Sequence, residues 1–239
     1  MRSAGLAIGG VVLVALGVAV AAGWVWPKKS EHTDTVDTAV RQVEIDNGSG
    51  DVIVRSADVS HTVVKQRFSY RGGDPERAFE VAGSTLLLHG CGSFCSVDYE
   101  VTVPVGTTVR GEVSSGDVVV EGTADVDVRA SSGDVKLRLR DANNVSVEAK
   151  SGNVSADLDG VAKVDANTRS GSMDLDLKGV DVVRAEARSG DITVTVPEGE
   201  YRVEASTNSG DRNVRGDDPN ADRVLELTTA SGDITVSDS

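Results

Sequence analysis

Apolar and polar residues alternate along most of the chain, in short runs that a recurring Ser-Gly-Asp segment interrupts. Counting forward from the Asp position of a segment, the first, third and fifth residues are apolar, as in Val135, Leu137 and Leu139. Counting back from the Ser, the second, fourth and sixth residues follow the same rule, as in Ala149 and Val147. Alternation of this kind is typical of strands that bury one face. Each repeat is therefore predicted to contain two short strands joined at a Ser-Gly-Asp corner.

The spacing of these corners predicts the fold class. A single two-strand unit cannot bury its own apolar face, but stacked units can. We therefore expect an all-β, right-handed parallel β-solenoid of eight to ten coils, with about 19 residues per coil and a length of about 40–50 Å. Successive corners are 66, 17, 19, 19, 19, 20 and 22 residues apart, so the first gap is interpreted as about three periods. The corners begin at Ser49, Ser115, Ser132, Ser151, Ser170, Ser189, Ser209 and Ser231.

The Gly and Asp positions of the corners have a structural and a metal-binding interpretation. Glycine permits a positive φ, and an Asp oxygen can accept hydrogen bonds from nearby backbone N–H groups. Stacked carboxylates could instead bind Ca²⁺. Two corners carry Asn153 and Ser172, which accept hydrogen bonds but are weak calcium ligands, so we favour structural turns without cofactor or metal. The turn residues are Gly50, Asp51, Gly116, Asp117, Gly133, Asp134, Gly152, Asn153, Gly171, Ser172, Gly190, Asp191, Gly210, Asp211, Gly232 and Asp233.

The solenoid is predicted to occupy residues 41–239 and to differ along its length. Residues 111–239 carry the regular repeats. Residues 41–110 hold most of the aromatic side chains and only one corner, so we expect an irregular amino-terminal cap with irregular coils. At the carboxyl end, Ile234 and Val236 are expected to form the last strand and to leave a poorly covered sheet edge.

The amino terminus is predicted to enter a membrane. Residues 5–26 carry no charge and, as a helix, are long enough to cross the hydrocarbon layer. Trp24 and Trp26 lie at the end of this run, where indole rings favour the interface, and Lys28 and Lys29 follow. We therefore expect residues 1–29 to be a transmembrane anchor and residues 30–40 to be a polar tether. A signal peptide that is cleaved near Ala21 is the alternative.

The cysteines bear on the compartment. Cys91 and Cys95 are the only two in the chain, and a close pair is typical of a disulfide in an oxidising environment. Free thiols are one alternative. A metal site with His89 is another, although it would supply three ligands where structural zinc uses four. We expect a disulfide, and hence a single-pass protein of the cell membrane whose solenoid lies outside the cytoplasm.

Composition excludes one class of partner and singles out one surface. The chain has 24 Lys+Arg and 38 Asp+Glu, a net charge of −14, which argues against nucleic-acid binding. Lys150, Arg169 and Arg188 each precede a corner Ser in consecutive repeats and are expected to stack. This basic strip is either a solvated face, balanced by nearby acids such as Glu148, Asp165 and Glu186, or a docking strip for an anionic polymer or acidic partner.

Two segments together resemble a known family over about residues 40–239. They are Val101-Thr-Val-Pro104-Val-Gly106 and Val113-Ser-Ser-Gly-Asp117-Val-Val-Val120, followed by the later corners. They resemble the bacterial putative-adhesin family of β-strand repeats, domain of unknown function 4097, and the Ala- and Val-rich anchor looks actinobacterial. The resemblance implies a β-helix-like protein of the cell envelope and offers no catalytic residues.

Nothing in the sequence indicates an enzyme. There is no nucleophile motif or phosphate-binding loop, and all three histidines lie outside the repeats. We therefore expect a non-catalytic module for adhesion or for interaction with a cell-wall polymer or envelope protein. An accessory or sensor protein in envelope stress, with a membrane partner, is the alternative. The oligomeric state is left open.

Overall fold

The computed structural model describes residues 26–122 and 125–239. All regular secondary-structure elements in these stretches are β-strands. The all-β prediction is therefore confirmed for the described part of the chain. No helix among these residues is long and apolar enough to cross a membrane. The predicted anchor lies almost wholly in residues 1–25, outside the described residues.

The strands form one sheet of 11 and one sheet of 10. In chain order the first seven are β1 (Lys28–Val36), β2 (Gln42–Asn47), β3 (Val52–Ala57), β4 (Thr62–Tyr70), β5 (Phe79–Ala82), β6 (Thr85–His89) and β7 (Cys95–Pro104). The next ten are β8 (Thr108–Ser115), β9 (Val118–Glu121), β10 (Val126–Ser132), β11 (Val135–Arg140), β12 (Asn144–Ser151), β13 (Val154–Asp159), β14 (Lys163–Ser170), β15 (Met173–Lys178), β16 (Val182–Ser189) and β17 (Ile192–Val196). The last four are β18 (Tyr201–Thr207), β19 (Arg212–Val214), β20 (Arg223–Ser231) and β21 (Ile234–Asp238).

The regular repeats stack as predicted. From β8 to β17 the chain alternates between the two sheets, and each strand pairs in parallel with its equivalent one repeat away. Val135 pairs with Val154, Val154 with Met173, and Met173 with Ile192, so this register advances by 19 residues per coil. Alternate side chains are buried along each strand, and the two rows of apolar side chains form a thin core between the sheets. Nine two-strand coils stack in this way within the described residues. The right-handed winding stays a prediction.

The amino-terminal coil does not lie where the spacing of corners suggests. Strand β2 lies between β6 and β8, and β3 lies between β7 and β9. The corner at Ser49 therefore stacks directly on the corner at Ser115. The interpretation of the 66-residue gap as three further periods is wrong, because the intervening chain turns back and adds its own coil, β6 and β7, outside the first one. Antiparallel strands β4 and β1 extend one sheet beyond this coil, and β5 extends the other.

The carboxyl-terminal coil is also inserted. Strand β20 lies between β16 and β18, and β21 lies between β17 and β19. Ile234 and Val236 are thus fully buried, and the prediction of an exposed edge at this last strand is wrong. The order has a physical reason. Strand β21 presents two large apolar residues to the core, whereas the short outer strand β19 presents only Val214, which is partly buried. The more apolar coil is covered on both sides and the more polar coil takes the end.

Most of the predicted tether is a strand. Residues 28–36 form β1, which pairs antiparallel with β4 along its whole length, so residues 30–36 of the expected polar tether (residues 30–40) belong to the folded cap. Ion pairs fix the strand: Glu31 contacts Lys65 and Arg67 at 3.1 Å each. The hydrogen bond from Lys65 lowers the pKa of Glu31. Because β1 is an edge strand with both faces largely in solvent, it lacks the apolar alternation by which strands are recognised.

Candidate functional site

The predicted turn glycines form a column along one side of the solenoid. Each has a φ between +114° and +150°, a range that residues with a side chain rarely adopt. A Cβ atom at Gly171 would also overlap the carbonyl oxygen of Gly152 in the adjacent coil. The same overlap recurs at the other corners, so close stacking of coils and a positive φ both require glycine here.

The neighbouring Asp positions form a continuous hydrogen-bond ladder between coils. The carboxylate of Asp117 accepts from the backbone N–H of Asp134 at 2.8 Å, and Asp134 accepts from that of Asn153 at 2.8 Å. Asn153 then accepts from the N–H of Ser172, and the Ser172 hydroxyl oxygen accepts from that of Asp191. Each side chain supplies one acceptor, which is why Asn and Ser can stand among the aspartates. In spatial order the ladder contains Asp98, Asp51, Asp117, Asp134, Asn153, Ser172, Asp191, Asp233 and Asp211.

The first member of this ladder was missed in the sequence. Asp98 lies inside strand β7, in the segment Ser96-Val97-Asp98, and accepts a hydrogen bond from the N–H of Asp51 at 3.0 Å. Val97 stands beside Gly50, where the other coils have glycine, but its backbone is an extended strand that pairs antiparallel with β4 and has no positive φ. The signal that could have found this ladder member is the apolar alternation after Asp98, beginning at the buried Tyr99.

The corners and the cysteines differ in their chemistry. Among residues 26–122 and 125–239, no group of three or more His, Cys, Asp or Glu side chains is arranged to hold a metal ion. Cys91 and Cys95 are joined by a disulfide in this structure, with their Cα atoms 5.6 Å apart. The resulting five-residue ring lies in the cap, immediately before β7.

The basic strip lies on three adjacent strands of the 10-stranded sheet. Ala149 pairs with Thr168, and Ser151 pairs with Ser170. Lys150 of β12 therefore lies beside Arg169 of β14. The equivalent pairs place Arg169 beside Arg188 of β16. All three side chains are exposed. Arg169 and Arg188 border a shallow groove of about 350 Å³ that runs across β12, β14, β16 and β20.

The acids that were expected to balance this strip are engaged elsewhere. Glu148 faces Arg129 at 3.6 Å, and Glu186 faces Arg184 at 3.2 Å. Asp165 accepts a hydrogen bond from the Asn167 amide at 2.7 Å. Lys150 donates to the hydroxyl of Ser131, a neutral partner.

The strip is therefore a row of cations without ion-pair partners of its own, in a groove that Glu148 and Glu186 also line. Within the described stretches, none of Lys150, Arg169 and Arg188 has a carboxylate within 4.0 Å. Like charges on adjacent strands repel one another. The row is the kind of surface that an external anion would stabilise.

Solved structures with a similar fold exist in several bacteria. A putative adhesin from Bacteroides fragilis aligns with a TM-score of 0.57 at 16% identity, over 89% of this chain and 99% of its own. Putative adhesins from Parabacteroides merdae and Parabacteroides distasonis align with TM-scores of 0.50, at 11% and 13% identity, over 89% of this chain and 96% and 97% of theirs. At such identities the likeness establishes the fold alone.

The family is established by the sequence. No curated protein matches the chain. The model of the Toastrack family, DUF4097, matches residues 29–182 and again residues 175–237, which together span the solenoid and its cap. The chain therefore belongs to the Toastrack DUF4097 family, as the recurring corners had indicated.

Proposed function

We propose that this protein is a membrane-tethered β-solenoid outside the cytoplasm, and that it acts as a non-catalytic adhesion or cell-wall interaction module. The basic strip is its contact surface for an anionic partner. The observation that carries the proposal is the row of three exposed cations, none of which forms an ion pair with a described residue. The description of structurally similar proteins as putative adhesins supports a binding role over an enzymatic one.

The geometry of the strip suits a polymer with repeated phosphates. Strands in a sheet are about 4.8 Å apart, so three cations on adjacent strands span about 10 Å. Guanidinium groups bind phosphate oxygens in a bidentate way, and Lys contributes a point charge. Because the net charge of the chain is −14, an anionic polymer would be repelled from most of the surface. The strip would thus determine where such a polymer docks.

A charge-reversal variant tests the proposal. Arg169→Glu with Arg188→Glu should reduce binding to purified phosphate-bearing wall polymer at least about tenfold at low salt. That loss corresponds to about 0.7 kcal/mol per reversed charge, within the range of exposed ion pairs. Wild-type binding should weaken as salt is added.

The matched control reverses two exposed cations of the opposite sheet that form no ion pair with a described residue. Lys136→Glu with Arg140→Glu changes the net charge equally and should leave binding nearly unchanged. Equal loss in both double variants would mean that net charge, and not the strip, governs binding. Undiminished binding in the strip variant would overturn the proposal. Capture of a membrane protein with no affinity for the polymer would favour the accessory or sensor role.

A further inference from the structure

The start of β1, the end of β4 and the start of β7 lie side by side in the cap. Residues that are far apart in the chain therefore come together there. Lys28 at the start of β1 pairs with Tyr70 at the end of β4, and Tyr70 pairs with Cys95 at the start of β7. Residues at these ends and just beyond them therefore cluster. We call this cluster the cap tip; it consists of Trp26, Lys28, Lys29, Arg71 and Phe94.

The cap tip presents two large aromatic side chains to solvent. The side chain of Phe94 is 80% exposed and that of Trp26 is 72% exposed. Phe94 lies inside the disulfide ring with a φ of +61°, and its carbonyl oxygen accepts a hydrogen bond from the Arg71 N–H at 3.0 Å. The disulfide loop thus constrains the backbone of Phe94 and holds its phenyl side chain toward solvent. The hydrophobic effect disfavours this exposure unless another apolar phase receives the ring.

The charges at the cap tip are mainly positive. Lys28, Lys29 and Arg71 are exposed. The acid among them, Asp74, accepts a hydrogen bond from the Ser30 hydroxyl at 3.1 Å. The nearest acid along β7 is Asp98, which belongs to the corner ladder. A basic surface with exposed aromatics therefore occurs at one end of a protein that is otherwise strongly acidic.

The position of the cap tip in the chain indicates what receives it. Residues 1–25 lie outside the described residues, and residues 5–25 among them are uncharged and largely apolar. This segment joins the cap tip directly at Trp26. Any bilayer that holds the segment must therefore lie within a few residues of Phe94 and Arg71.

We propose that the cap tip rests on the anionic lipid surface of the membrane, with the rings of Phe94 and Trp26 in the headgroup layer. Aromatic rings favour that layer, and anionic lipid attracts each nearby Lys or Arg. The inference rests on the proposed membrane tether and adds a second contact that orients the solenoid. The basic strip begins at β12, four coils from the coil of β6 and β7, which is about 20 Å along the solenoid axis.

Depth-dependent quenching tests the contact with the full chain. The variant Phe94→Trp, in a background with Trp24→Phe and Trp26→Phe, is reconstituted into phosphatidylglycerol vesicles that contain lipids brominated near the headgroup. We expect its fluorescence to be quenched strongly. The matched control is Val105→Trp, at a residue that is 70% exposed beyond the other end of β7, about 30 Å away. The control should not be quenched.

The possible results separate the contact from the tether. If the protein floats with vesicles at high salt but Phe94→Trp is as unquenched as Val105→Trp, the tether holds and the lipid contact is refuted. If the protein does not float with vesicles, the tether itself fails. Quenching that falls when Arg71→Glu and Lys29→Glu are added supports the role of the basic residues. Quenching equal in anionic and in neutral vesicles would refute that role.

Discussion

The carboxylate of Asp191 accepts a hydrogen bond from the backbone N–H of Asp233 at 2.8 Å, although 42 residues separate them in the chain. Asp233 in turn accepts from the N–H of Asp211, which precedes it by 22 residues. The ladder therefore records the order of coils in space, which differs from their order in the chain. At the other end, Asp51 stands between Asp98 and Asp117 in the same way. The first coil in the chain is thus covered by the later strands β6 and β7, and the last coil is inserted beneath the earlier strands β18 and β19.

The inserted last coil predicts the effect of a truncation. Removing residues 223–239 deletes β20 and β21, which separate the outer coil from β16 and β17. Large apolar residues that remain, such as Ile192, lose their neighbours, and others, such as Leu227, are removed with the deleted strands. We expect a destabilisation on the order of 5 kcal/mol, or about 10–20 °C in Tm for a domain of this size, measured by thermal denaturation.

An internal deletion of similar length provides the control. Removing residues 153–171 excises one whole 19-residue period and leaves Gly152 followed by Ser172, with the corner sequence intact. Because each coil contacts only its neighbours, the shortened stack should form the same kind of interface and lose much less stability. If the truncation proved as mild as the internal deletion, the inserted position of the last coil would be contradicted.

The glycine column predicts a costly substitution. Gly171→Ala forces a φ of +150° on a residue with a Cβ and overlaps the carbonyl oxygen of Gly152. The backbone strain alone costs about 1–3 kcal/mol, and the overlap adds to it. Gly72→Ala is the matched control, since Gly72 has a φ of +106° but nothing within 4 Å of its Cβ position. Urea denaturation should rank Gly171→Ala as clearly more damaging. Equal losses would mean that stacking distance does not restrict the corner.

How much of the fold could be predicted from the sequence depends on whether the determining pattern is local or joins distant segments. Alternation from Val135 to Val196 specified strands, corners and register, because each repeat reports its own local pattern. The order of coils at the ends depends on a comparison between distant segments, such as β19 with β21, that no local pattern carries. Strand β1 was missed for a related reason: its pairing with β4 rests on ion pairs and backbone hydrogen bonds.

The candidate site was predictable in part as well. The stacking of Lys150, Arg169 and Arg188 follows from the repeat period. The partners of Glu148 and Glu186 do not, because the arginines that engage them lie on other strands or two residues away on the same face. The exposure of Phe94 could not be predicted either, since a single aromatic residue between two cysteines gives no indication of whether its side chain is buried or exposed.

The disulfide predicts a modest effect of reduction. Cys91 and Cys95 should resist alkylation in the mature protein unless it is first reduced, as mass spectrometry can measure. The loop is short, so chain entropy predicts a loss of only about 2 kcal/mol on reduction. The paired variant Cys91→Ser with Cys95→Ser should show the same loss without added reductant. Alkylation of both thiols without reduction would refute the bond and would weaken the case for an oxidising compartment.

The corner ladder predicts opposite results for two substitutions at Asp134. Asp134→Asn keeps a side-chain oxygen for the N–H of Asn153, as Asn153 itself does for Ser172, so its stability should be nearly unchanged. Asp134→Ala removes the acceptor and leaves that N–H unpaired, at a cost of about 1 kcal/mol. If the carboxylates served calcium instead, Asn would be nearly as harmful as Ala, and a chelator would lower the Tm of the wild type. We expect the chelator to leave the Tm unchanged, because each corner is completed by the coil beside it.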